Sequence, residues 1–143
     1  MSLSDADESF VLVSHHPENN LLKIIWQGEI DAAKLETGYL KALDIIKTCK
    51  VQRCLIDMSK RTLTGPGTEP VISDIFGQLL PLIREPMFVA LVLKPENYFM
   101  ITDHFHYEYL KQDDNHFIII KHFLKQEDAL EWLRTAAESF QDN

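Results

Sequence analysis

Cys54-Leu55-Ile56-Asp57-Met58-Ser59-Lys60-Arg61-Thr62-Leu63-Thr64-Gly65-Pro66-Gly67-Thr68 passes from an apolar stretch into a polar one rich in hydroxyls and glycine. Arg53 to Asp57 is short and continuously apolar between its ends, the pattern of a strand buried on both faces and so paired in parallel. The residues after it read as a loop carrying Asp57, Ser59, Thr62, Thr64, Gly65 and Gly67, ahead of an amphipathic helix that starts near Pro70. In a parallel sheet such strand-to-helix loops gather at the carboxyl ends of the strands, where α/β proteins place ligands and regulatory contacts. This loop is where function is expected, although it contains no complete catalytic motif.

Upstream, Phe10 to Val13 and Leu21 to Trp26 read as two strands joined by the turn residues His16-Pro17-Glu18-Asn19-Asn20, an antiparallel hairpin. Gly28 is expected to break the second strand, and Asp31 to cap a helix from Ala32 to Cys49. Leu35, Tyr39, Ala42, Leu43, Ile46 and Cys49 recur there at helical spacing, and Gly38 allows close packing on a neighbour. Downstream, Ile72, Ile75, Phe76, Leu79 and Ile83 share one side of the second helix, with Pro81 and Pro86 marking its kink and end. Met87 to Leu93 is the most hydrophobic strand and is expected at the centre. A third helix is expected from Pro95, aligning Tyr98, Phe105 and Tyr109. Phe117 to Ile120 is then a fifth strand, and Glu127 to Phe140 a last helix with Leu130, Leu133, Ala137 and Phe140 inward. The order is ββαβαβαβα: a mixed, mostly parallel five-stranded sheet with four helices. One domain over residues 10–140 is expected, behind a frayed acidic tail at 1–9 that has no secretory pattern.

With 143 residues, 14 basic against 22 acidic side chains and a formal net charge of −8, the chain is poorly suited to nucleic acid, which is held by clustered Lys and Arg. Lys60-Arg61 is the nearest approach to such a cluster. No apolar run approaches the roughly 20 residues that span a bilayer, so a cytoplasmic domain is expected. Cys49 and Cys54 read as small buried hydrophobes rather than a disulfide or a metal pair, since no Cys-x-x-Cys spacing exists.

The site residues each have a plain reading beside the functional one. Asp57 could accept a phosphate, bind a metal or act as a base, but an Asp at a strand end commonly bonds the amides that follow it. Ser59, Thr62 and Thr64 read as surface hydroxyls, and Thr68 as the cap of the second helix. Gly65-Pro66-Gly67 is a tight turn, lacking the lysine and spacing of a phosphate-binding loop. Asp103, His104 and His106 form the densest group of metal-binding types, yet residues two apart diverge on a helix. No metal or cofactor is expected. As an enzyme, the chain offers only Asp57 with a histidine such as His104. Tyr98, Phe99, Met100, Phe105, Tyr107 and Tyr109 are too many for one helical stripe, so some of them line a groove, a pocket or a homodimer contact. Tyr98, Phe99, Phe105 and Tyr109 are the residues assigned to that groove.

Three phrases carry a resemblance. Ile24-Ile25-Trp26-Gln27-Gly28-Glu29-Ile30 supplies a strand, an aromatic and a glycine before the first helix. Cys54-Leu55-Ile56-Asp57 is a strand ending in aspartate, and Phe123 precedes Glu127-Asp128-Ala129-Leu130-Glu131-Trp132-Leu133. Over about residues 10 to 137 the chain resembles the STAS superfamily of bacterial anti-sigma factor antagonists, and more closely its small stand-alone SpoIIAA-like, or STAS/SEC14-like, members. The resemblance implies a non-enzymatic domain that binds another protein, or a small apolar or lipid ligand on the SEC14 side. It also implies a phosphorylated Ser or Thr after the third strand. Here that stretch is Leu63 to Thr68 and lacks the family's Asp-Ser pair, leaving Thr64 and Thr68 as the nearest hydroxyls.

Overall fold

The computed structural model describes residues 9–83, 85–96, 107–111 and 117–141, with side chains outside the description at 107–111 and 137–141. β1 (Val11–His16) and β2 (Leu21–Ile30) form the antiparallel hairpin, closed by a 3-10 turn at Pro17–Asn19 and a left-handed Asn20. The Asp31 carboxylate accepts the Lys34 amide at 2.9 Å and so starts α1 (Ala32–Cys49) at the expected residue. β3 (Arg53–Leu63) follows, then α2 (Thr68–Leu79), a 3-10 turn at Leu80–Leu82, and β4 (Met87–Val92). β5 (Tyr107–Lys111), β6 (Phe117–Phe123) and α3 (Gln126–Gln141) complete the described chain.

The strands form one sheet in the order β1-β2-β3-β4-β6-β5. Its three inner pairings are parallel and its two outer ones antiparallel. Cys54 stands opposite Val89 and Leu55 opposite Ala90, so the expected strands do share a carboxyl rim, with apolar β3 and β4 at the centre. Five of the six strands are those expected. The sixth, β5, replaces the end of the helix that was to carry Tyr109, because residues 107–111 extend along β6 instead of coiling. Pro95 and Glu96 are helical as expected. The rest of that segment, with Tyr98, Phe99, Phe105, His104 and His106, lies outside the described residues.

Alternation along β3 and β4 divides the core between two faces. Cys54, Ile56, Met87 and Val89 join α1 and α2 through Leu35, Leu43, Ile46, Ile75 and Leu79. Leu55, Phe88, Ala90 and Val92 join α3 through Ala129, Leu133 and Ala136. A strand buried on both sides cannot alternate apolar with polar, which explains the unbroken runs. Trp26 lies fully buried beneath α1, edge-on to Tyr39 with ring centroids 5.1 Å apart. Gly38 permits this: a Cβ there would collide with Trp26 Cη2 and lie 3.0 and 3.1 Å from Cζ3 and Cζ2.

Several boundaries differ from expectation. β2 does not stop at Gly28 but passes through it with φ 84° and continues to Ile30, pairing with the end of β3. The second helix ends at Leu79 rather than Ile83, since Pro81 cannot donate to a helical ladder. Cys54 is buried as expected, whereas Cys49, at the last turn of α1, is exposed.

Candidate functional site

β3 does not yield to a loop after Asp57. It runs six residues further, to Leu63, as a polar strand paired with β2 alone, because its pairing to β4 stops at Asp57 and Val92. Ser59 and Thr62 therefore sit on a strand, and the true connection is the short turn from Thr64 to Gly67. Gly65 and Gly67 hold φ of 75° and 88°, which side-chain-bearing residues rarely adopt. Gly67 occupies the cap position of α2 and Thr68 is the first helical residue, with no side-chain cap bond, so Thr68 is not the expected cap.

Midway along β3 the register slips. Ile25 faces Asp57 but Gln27 faces Lys60, so Met58 and Ser59 together oppose Trp26 in a β-bulge. The extra residue reverses which face the later side chains meet. Asp57 shares its parity with Leu55 and points toward α3, where its Oδ2 accepts from Gln126 Nε2 at 3.1 Å. Its Oδ1 accepts both the Ser59 amide at 2.9 Å and the Ser59 hydroxyl at 2.6 Å. Both oxygens are thus engaged in tying the bulge to the first turn of α3, and the amide bond is the plain role expected of this aspartate.

Arg61, odd-numbered like Asp57, lands on the opposite face. It is 7% exposed, and its guanidinium lies over the Trp26 ring with Cζ 5.4 Å from the centroid. Nη1 donates to the Tyr39 hydroxyl at 3.2 Å, and Nη2 lies 2.8 Å from Met58 Sδ. Among the described residues no carboxylate pairs with it. Beside it opens a cavity of about 600 Å³, lined by Ile56, Ile72, Phe76, Leu91 and Ile120, with Arg61, Thr62, Lys94, Glu96 and His122 supplying the polar groups. Lys94 Nζ donates to Thr62 Oγ1 at 3.1 Å. The sequence marked Arg61 only as half of the Lys60-Arg61 pair and not as a buried group, because one arginine in a polar run carries no periodic signal.

The expected site residues therefore divide. Asp57 and Ser59 meet on the α3 face. Thr64, Gly65, Gly67 and Thr68 form the turn at the rim. The aromatics at 98, 99 and 105 lie outside the described residues, and Tyr109 contributes its backbone to β5. Among the described residues no group of three or more His, Cys, Asp or Glu side chains converges as a metal site would require. None of the described helices is long and apolar enough to cross a membrane.

No protein-family model matches the chain, and no curated protein sequence does. Solved structures do. The anti-sigma factor antagonist SpoIIAA in its unphosphorylated form superposes with a TM-score of 0.56 at 12% identity, over 87% of this chain and 97% of that one. An uncharacterized protein of the DUF3478 family from Shewanella loihica PV-4, described as having a SpoIIAA-like fold, gives 0.53 at 13% identity, over 86% and 91%. The chain thus has a SpoIIAA-like fold.

Proposed function

We propose that the chain is a non-enzymatic regulatory domain that captures a protein partner through the Thr64–Gly67 turn and the adjoining face of α2. The observation that carries this reading is the form of that rim. Gly65, Pro66 and Gly67 are exposed, Thr64 and Thr68 half-buried, and α2 buries only Ile75 and Leu79, which leaves most of its surface to solvent. The likeness in fold to an anti-sigma factor antagonist, solved in its unphosphorylated form, supports a contact surface on this domain. A phosphate on Thr68 would meet the unpaired amides and positive end of α2. Since Thr68 caps nothing, changing Thr64 and Thr68 together to Ala should leave the thermal midpoint nearly unchanged. The same variant should lose the proteins that cross-link to the native chain in cells; an unaltered cross-linking profile counts against this surface.

The cavity beside Arg61 favours a second reading, a module that binds a small ligand between α2 and the strand ends. Its volume falls within the roughly 300–1,000 Å³ of small-molecule sites. Native mass spectrometry of the purified chain should then show extra mass that departs on denaturation.

A further inference from the structure

We infer that the cavity takes an amphipathic anion, an acyl or alkyl chain ending in a carboxylate or a phosphate, an assignment that rests on the ligand-binding reading above. The head group meets Arg61 and Lys94, and the chain lies over Ile72, Phe76, Leu91 and Ile120.

Charge is the first argument. A guanidinium stays protonated at any physiological pH, and taking it out of water is costly unless negative charge comes with it. Arg61 is more than nine-tenths buried, yet its described partners, the Tyr39 hydroxyl and Met58 sulfur, are neutral and engage only part of its donor fork. The Trp26 ring, with Arg61 Cζ 5.4 Å from its centroid, is a further neutral neighbour and brings no counter-charge. Lys94 lines the same cavity, half-buried, with its ammonium fixed on Thr62. Glu96 is the single acid among the described lining residues, and it is exposed. In a chain of net charge −8, this is a local reversal of sign.

The remaining wall is the second argument. Ile72 and Phe76 of α2 are only half-buried, although they share a helical side with the buried Ile75 and Leu79. Leu91 is half-buried on β4 in the same way. An apolar tail laid on these side chains would remove them from water, while a neutral lipid would leave Arg61 uncompensated and a cation would be repelled.

The architecture provides its own reporter. The chain has two tryptophans, and Trp132 packs on the α3 face against Phe88 and Phe123. Trp132→Phe therefore leaves Trp26, the ring beneath Arg61, as the sole indole. The full chain carrying this change is titrated with decanoate, decyl phosphate and decanol, each below its aggregation limit, and Trp26 emission is followed. A saturable change with either anion, at least about tenfold tighter than decanol, supports the assignment. Adding Arg61→Gln should weaken that binding by about tenfold or more, and the tighter of the two anions identifies the head group. Lys94→Met, a change at a half-buried position, should weaken it several-fold and decides the matter if the Arg61 variant does not fold. Decanol binding as tightly as the anions overturns the anion assignment and leaves the ligand-binding reading standing. No response to any of the three overturns both.

Discussion

Gly38 sits mid-helix with its bare Cα against the Trp26 ring, and two effects compete there. Replacement by Ala gains about 1 kcal/mol of helix propensity. Against this, the new methyl meets a fully buried indole whose ring is already flanked by Tyr39, Phe10 and Arg61 and has nowhere to move. Overpacking of that kind costs roughly 1–3 kcal/mol, so Gly38→Ala should lower the urea midpoint despite the better helix former. The two thiols differ just as sharply. Burial pushes the Cys54 thiol from 9.0 up to about 12, whereas Cys49 is exposed. A thiol reagent at pH 8 should label Cys49 promptly and Cys54 only after denaturation. Because the folded-state value is the raised one, the neutral thiol's contribution to stability is complete below pH 9 and fades as pH climbs toward 12. A Cys54→Ala variant, lacking this thiol, should show a shallower alkaline loss of stability over that window.

Two helix starts set a contrast between elements. The Asp31 carboxylate holds the Lys34 amide, whereas Gly67 opens α2 by backbone conformation alone. Asp31→Ala should therefore cost about 1 kcal/mol in chemical denaturation, while Thr68→Ala costs little. The same contrast bears on what could be read from sequence. α1 was legible to the residue because an Asp cap precedes an apolar stripe of unmistakable period. The centre of the sheet was legible because β3 and β4 are apolar on both faces. The end of β3 was not: Lys60, Thr62 and Leu63 are exposed, so residues 58–63 show no alternation, and backbone pairing to β2 alone makes them a strand. β5 was hidden for a different reason. In the sequence Tyr109 aligns with Phe105 at helical spacing and with Tyr107 at extended spacing, and only pairing along β6 separates the two.

Across the whole molecule, the sheet keeps its two chemistries apart. The face toward α3 holds the Asp57, Ser59 and Gln126 clasp, in which every carboxylate oxygen is already committed. The face toward α1 and α2 holds a buried cation beside an open volume. The sequence pointed to the carboxyl rim as a whole but could not say which residue served which side, because that depends on the slip at Met58 and Ser59. That slip also makes the ribbon tolerant of a change in chain length, since it holds two residues where the partner strand has one. Removing Met58 or Ser59 would straighten the strand, with Gln27 still opposite Lys60 and Gly28 opposite Arg61, so the later side chains keep their faces. A lineage can therefore lose a single codon at this point and keep the charged pocket, with the framework of six strands left in place.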